Sequence, residues 1–349
     1  MTASDRMALM TAFLDSSGVT NAAPAALAGD ASFRRYFRLS DPRPLVIMDA
    51  PPDLEDVRPF IAIATYLKEH GFSSPAILGA DIENGFLLLE DLGDDTYTRL
   101  LDTGRGPGET ALYEAAVDCL AALHARPSPG VLPVGDAAPY MLPPYDDTLL
   151  IREATLFTDW YYPAARGRDC SAKKRQAFID LWLSVFPLAT PKPQTPLGPV
   201  LVLRDYHADN LMWLPARAGA ARVGLLDFQD GVIGHAAYDL VSLLEDARRD
   251  VPPALAEAMV ARYLTATGAD ETGLRDAYAV LGAQRNTKII GIFTRLWKRD
   301  GKPHYLKLIP RVWGLLERDL AHPELAPLAG WFDEHTPKTM RNDVLEAIA

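Results

Sequence analysis

Short apolar runs alternating with polar residues mark the N-terminal quarter of the chain, and a helical repeat takes over beyond it. Residues 7–14 place apolar side chains at helical spacing and predict a helix packed outside the first sheet. Residues 31–39 and 45–49 read as two strands joined by the turn Ser40-Asp41-Pro42-Arg43-Pro44. A helix is expected over 55–70, ended by Gly71, and a second hairpin over 77–81 and 85–90. Beyond Gly108 the pattern predicts helices over 109–126, 148–162 and 172–186, then from Ala237 to the end. Three apolar runs, 200–203, 211–214 and 223–226, interrupt this part as short buried strands. The Pro-rich stretches 127–144 and 187–199 read as loops, the first either covering a cleft or merely connecting. The pattern is α+β: a small, mostly antiparallel sheet crossed by one helix (1–92), then a larger, mainly helical part (93–349), joined near Glu90 to Gly93.

With 349 residues and 48% hydrophobic content the chain can bury a large core and fill two lobes. A formal net charge of -11 argues against a nucleic-acid groove, which needs a basic field. Residues 1–18 carry Asp5 and Arg6 and hold no uninterrupted apolar segment, so the expectation is a cytoplasmic protein with no membrane partner. Cys119 and Cys170, far apart and without histidines at ligand spacing, read as ordinary thiols, Cys119 in the core. A monomer is expected.

Chemistry concentrates in Leu203-Arg204-Asp205-Tyr206-His207-Ala208-Asp209-Asn210 and, one hairpin later, Leu225-Leu226-Asp227-Phe228. Phosphoryl transfer asks a protein mainly for positioning and charge neutralisation. One carboxylate must orient a substrate hydroxyl and take its proton, a role open to Asp205. An amide oxygen and a second carboxylate, Asn210 and Asp227, are hard ligands suited to magnesium. Each of these residues alone could simply close a turn. Their joint spacing is that of the protein-kinase catalytic Asp, metal-binding Asn and following D-F-G, except that Gln229 stands where the glycine would be.

That departure leads to another group. The segments 204–210 and 227–240 resemble the aminoglycoside phosphotransferase and choline kinase superfamily, which pairs H-G-D-x-x-x-x-N with D-x-x-x-x-G-x-x-x-x-D-L. Leu203 and Arg204 replace the usual His and Gly. Segments 29–38, 48–52, 90–94 and 284–293 further resemble bacterial anomeric sugar kinases acting on N-acetylmuramate and N-acetylglucosamine at C1, enzymes of cell-wall sugar recycling. The resemblance implies a bilobal protein-kinase-like fold, ATP and Mg2+ as nucleotide and metal, and a small sugar as acceptor. Glu90 and Leu92 would meet the adenine edge at the hinge.

Gly29 to Arg35 sits where a Gly-rich loop would, and Ser32, Phe33, Arg34 and Arg35 are candidates for phosphate contact; a plain strand-entry turn is the alternative. The strand 45–49 lacks the lysine that kinase-like folds use to grip phosphates. Either another cation serves or metal and backbone alone hold the phosphates, and alternation puts Arg34 and Arg38 on one face with Arg35 on the other. For the acceptor, the helix 281–297 carries Arg285, Lys288 and Arg295 within a stripe on the order of 80° wide. It would face an anion such as a lactyl carboxylate, with Asn286 for sugar hydroxyls, or it is a solvated helix face. His207 and Asp230 are further candidates near the sugar, with Asp230 alternatively on metal. Asp209 reads as a solvated loop residue, and Asp239 as a helix cap, with the brace under the catalytic loop that the resemblance implies as the alternative. Two other functions fit the same residues: a kinase of another small hydroxyl compound, such as an aminoglycoside or choline-like amino alcohol, and a pseudokinase that binds nucleotide without turnover.

Overall fold

The alternation along the N-terminal strands becomes a five-stranded antiparallel sheet in a computed structural model describing residues 3–20, 23–27, 33–193, 195 and 198–348. Helix α1 (Ala3–Ser16) precedes strands β1 (Pro24–Ala26), β2 (Arg35–Leu39) and β3 (Leu45–Asp49). After α2 (Arg58–Glu69) come β4 (Ile77–Asp81) and β5 (Phe86–Glu90), giving the order β1-β2-β3-β5-β4. In the central pair Ile47 lies opposite Leu88 and Asp49 opposite Phe86. Side chains on one face, including Leu39, Leu45, Ile47, Phe86 and Leu88, pack with Met10, Phe13 and Leu14 of α1. The predicted helix over 55–70 begins only at Arg58, with Pro59 in its first turn, where the missing N–H costs nothing.

The chain continues through α3 (Tyr97–Thr103) and α4 (Glu109–His124) to β6 (Val131–Val134) and β7 (Ala137–Met141). This hairpin corrects the reading of 127–144 as an irregular loop; its strands pair antiparallel with a register shift after Leu132 and pack on α2. Next come α5 (Asp147–Ala154), a π-helical turn at Phe157–Tyr161, α6 (Tyr162–Arg166) and α7 (Ala172–Val185). The single helix expected over 148–162 is broken at that turn. Gly291 lies against it so closely that an added Cβ would sit 2.5 Å from the Leu156 carbonyl carbon.

Strands β8 (Val200–Val202), β9 (Leu211–Trp213), β10 (Val223–Leu225) and β11 (Val232–Gly234) follow; β9 pairs with β10 and β8 with β11. The rest is helical: α8 (Ala237–Leu244), α9 (Pro253–Thr267), α10 (Glu271–Asp300), α11 (Ile309–Asp319) and α12 (Ala326–His335). Of these α10 is the long central rod, capped at its start by the Asp270 carboxylate on Gly273 N–H at 2.7 Å and ended by Gly301 at φ 65°.

By packing, the described residues fall into two units: those within 1–122, 129–142 and 208–231, and those within 123–128, 143–207 and 232–349. This replaces the single cut after Leu92, because α3, most of α4 and the β9–β10 hairpin pack with the N-terminal sheet. Helix α3, for instance, packs on β9, and Trp213 N–H bonds to Asp95 O at 2.8 Å. No helix among the described residues is long and apolar enough to cross a membrane.

Candidate active site

The first unit holds a cavity of about 500 Å³ on the sheet face opposite α1. Strand alternation turns Tyr36, Arg38, Val46 and Leu89 into its wall, joined by Arg34, by Glu90 to Asp94 where β5 ends, and by Asn210, Met212, Leu226 and Asp227. Val46 thus stands on this face where a strand lysine would reach phosphate. The cations on this face are Arg34 and Arg38, from the neighbouring strand and its entry.

Arg34 pairs with Glu55 at 3.2 Å and with Asp227 at 3.3 Å. Burial works against its charge, but Tyr36 and the carboxylates of Asp227, Glu55 and Asp230 outweigh it and hold the guanidinium above its ordinary value. Arg38 is bound to Asp91 (2.5 Å), Asp94 (3.0 Å) and Gly93 O (3.3 Å), so it braces the turn that leaves β5. In that turn Glu90 N–H bonds Ala76 O at 2.8 Å and Asp91 N–H bonds Pro44 O at 2.9 Å, while Leu92 lies beyond the last of these sheet bonds.

Arg35 points the other way. Its guanidinium meets Asp49 at 2.5 Å on the α1 face, beside Arg6, which meets the same carboxylate at 2.6 Å. Arg35 is therefore withdrawn from the nucleotide set. Phe33 is 62% exposed and outside the cavity wall, and Ser32 lies outside the described residues.

Asp227 follows β10 with φ at 55°, a left-handed conformation that aspartate tolerates better than most residues. Gln229 Nε2 donates to its Oδ1 at 2.7 Å, and Leu226 N–H bonds Asn210 O at 3.0 Å, which ties the two residues to one hairpin. Hard oxygen donors at 210 and 227 fit magnesium, which takes few protein ligands and keeps waters and phosphate oxygens. Among the described residues no three His, Cys, Asp or Glu side chains gather as a fuller metal site. Asp209 is held by Thr98 Oγ1 at 2.5 Å, so it ties the loop to α3 rather than floating in solvent. Asp230 is exposed, adds to the negative field at Arg34, and does not line the cavity.

Asp205 lies in the second unit, just past β8. Burial pushes its pKa up, yet Lys288, His207, Arg204 and Arg285 more than reverse this, and the carboxyl stays below its ordinary value. It is ionised at neutral pH. The loop before it is shaped by Asp239, whose oxygens accept from Leu203 N–H at 2.7 Å and Arg204 N–H at 2.8 Å. Asp239 is fully buried and does not cap α8, which corrects the capping assignment. Arg204 takes φ 69° at the position where the superfamily usually has glycine. That conformation costs a non-glycine residue roughly 1–2 kcal/mol; the Asp239 bonds and an ion pair with Glu153 hold it.

Two of the three cations of the basic stripe on α10, Lys288 and Arg285, are buried and bonded within the protein. Lys288 Nζ donates to Tyr238 Oη at 2.6 Å and lies 3.4 Å from Glu153. Arg285 bonds Ser242 Oγ at 3.0 Å and Glu245 O at 3.3 Å, and both cations are buried. Asn286 is fully buried with its amide N–H groups on Glu245 (2.7 Å) and Asp319 (2.9 Å), so its placement joins helices rather than meeting a sugar. Arg295 sits about 10 Å farther along the helix than Lys288, near Arg299 and Asp300. His207 is buried, and burial lowers its pKa, so the imidazole is neutral. Sequence reasoning missed Glu153 and Glu55; a lone glutamate in the apolar face of α5 was the one signal for Glu153.

A family model described as the phosphotransferase enzyme family matches residues 25–277. The chain belongs to this family. Among curated phosphotransferases, an N-acetylmuramate/N-acetylglucosamine kinase of Caulobacter vibrioides is 41% identical, over 97% of this chain and 99% of the relative. The kinase of the same name from Pseudomonas aeruginosa is 40% identical over 86% of this chain and 84% of its own length. Solved structures share the fold at low identity. A choline/ethanolamine kinase family protein from Mesorhizobium loti superposes with TM-score 0.61 at 12% identity, over 95% of this chain and 99% of that one. An ADP-bound aminoglycoside phosphotransferase superposes with TM-score 0.57 at 15% identity, over 90% of this chain and 97% of that one. This phosphotransferase is thus a kinase with the α+β, protein-kinase-like fold expected from its motifs.

Proposed function

We propose that the chain is an ATP-dependent sugar kinase that moves the γ-phosphoryl group to the C1 hydroxyl of N-acetylmuramate and N-acetylglucosamine. The observation that carries the substrate is the close relationship, over nearly the whole chain, to kinases named for these two sugars. Asp205, kept ionised by its buried cations, orients the C1 hydroxyl and accepts its proton. The 500 Å³ cavity takes the nucleotide, its base against Leu92 and Glu90 and its phosphates toward Arg34, which stands in for the absent strand lysine. Asn210 and Asp227 hold magnesium, which when bound neutralises charge on the phosphate oxygens. Arg38 and Asp91 keep the hinge turn in shape for the base.

An ADP-release assay over N-acetylmuramate, N-acetylglucosamine, simple hexoses, choline and an aminoglycoside tests this. The two amino sugars should be turned over, and each product should lose its reducing end, because a phosphate on C1 blocks ring opening. Turnover confined to choline or an aminoglycoside, or a product that still reduces, overturns the reading.

A further inference from the structure

The backbone just ahead of Asp205 is bent in an unusual way. Asp205 N–H bonds back to Leu203 O at 2.9 Å around Arg204, whose φ is 69°. A three-residue turn with positive φ at its centre is the rare, strained form, and glycine would take that φ freely. Arginine stands there instead, and its side chain is tied at the far end. The guanidinium pairs with Glu153 of α5, both side chains being largely buried, and lies 5.7 Å from the centre of the Tyr145 ring.

Glu153 is a hub rather than a lone counter-ion. Tyr145 Oη donates to it at 2.5 Å and Lys288 Nζ lies 3.4 Å away, while Gln284 Nε2, bonded to Leu150 O at 3.0 Å, reaches it at 3.5 Å. Burial works against its charge, but Lys288 and then Arg204 outweigh it, so the carboxylate stays ionised. Lys288 and Gln284 belong to α10, and Tyr145 N–H is held by Ile233 O at 2.7 Å. Arg204 is therefore fixed twice, its backbone N–H to Asp239 of α8 and its guanidinium to a carboxylate anchored between α5 and α10. A clamp at both ends of one residue sets the direction in which the chain enters the next, which is Asp205.

We propose that Arg204 is a positioning residue for phosphoryl transfer: through its pair with Glu153 it holds the turn that aims the Asp205 carboxylate at the acceptor hydroxyl. This rests on the reading of Asp205 as the proton acceptor. A planar guanidinium fixes direction as well as charge, which an ammonium on a flexible stem does not.

The test uses Arg204→Gly, which removes the side chain at a φ that glycine accepts, with kinetics on N-acetylglucosamine and urea unfolding measured together. kcat should fall about 10- to 100-fold, the scale for a reacting group misplaced by about 1 Å, while KM for sugar and for ATP stays within about twofold of the wild type. Guanidinium ion, added well below denaturing concentration, should restore part of the rate. In a Glu153→Gln background the loss from Arg204→Gly should nearly vanish, because both changes break one pair. A wild-type kcat in Arg204→Gly, raised KM values at unchanged kcat, or losses that simply multiply in the double variant would each overturn the proposal. Should Arg204→Gly not fold, Arg204→Lys carries the test: a reduced kcat with both KM values held supports the proposal, and a wild-type kcat overturns it. A wild type that turns over neither amino sugar would count against the reading of the site instead.

Discussion

Replacing Lys288 by Met should move the acid limb of the pH–rate profile. Of the groups that lower the pKa of Asp205, Lys288 acts most strongly, ahead of His207, Arg204 and Arg285, and together they reverse the upward push of burial. One opposite charge a few ångströms away lowers a carboxylate by roughly 1–3 units. With the other cations left in place, loss of Lys288 should raise the Asp205 pKa. Lys288 also contacts Glu153 at 3.4 Å, but Glu153 keeps Arg204. The stability loss should therefore stay under the roughly 3–5 kcal/mol seen when a buried ion loses its only partner, and a thermal melt before kinetics confirms that the variant is folded. The assay is kcat/KM for the sugar at saturating nucleotide, from about pH 4 to pH 9, which reports ionisations of the enzyme before the sugar binds. The variant should lose activity at a higher pH than the wild type, as Asp205 takes up a proton. An acid limb that does not move would refute the idea that Lys288 keeps Asp205 ionised.

Asp239→Asn removes one of two charge-assisted bonds to the Leu203 and Arg204 N–H groups and sets an amide N–H against a backbone donor. It should cost about 2–4 kcal/mol in urea unfolding and lower kcat more than nucleotide affinity; a change in the unfolding midpoint too small to measure would contradict the bracing role. Asp319 is raised well above its ordinary value by burial and by Glu245. A group whose folded pKa is raised stabilises fully below its unfolded pKa and loses that contribution as pH rises toward the folded one. Wild-type stability should therefore decline from the ordinary carboxylate range upward, and Asp319→Asn should flatten that decline in urea midpoints taken across pH. Identical slopes for the two proteins would contradict it.

Much of the fold was legible because it is local. Strand 45–49 and the hairpin at 77–90 follow from alternation and flanking turns, and the structure reproduces them to within a residue. The β6–β7 hairpin was not, since Pro133 and Pro139 interrupt short strands with exposed outer positions and read as loop chemistry. The break after α5 was hidden for another reason: it depends on Gly291 of α10 lying against Leu156, a contact between segments far apart in sequence. At the site, the spacing of Asp205, Asn210 and Asp227 singled out those positions directly. Their surroundings were not written locally. Lys288 and Arg285 look like a solvated stripe until tertiary packing brings Glu153, Tyr238 and Ser242 to them, and Arg204 hides its left-handed backbone behind a side chain that usually avoids it. Which face of β2 carries Arg34 and Arg38 into a cavity was likewise fixed only by α1 covering the other one.

The most direct test of the account is ADP release by Asp205→Ala on N-acetylmuramate, measured together with the variant's affinity for ATP. A proton acceptor that acts only as the hydroxyl attacks should lower turnover by about 10²- to 10⁴-fold and leave nucleotide binding nearly unchanged. Turnover close to that of the wild type would contradict the assignment of Asp205 and, with it, the proposed chemistry of the site.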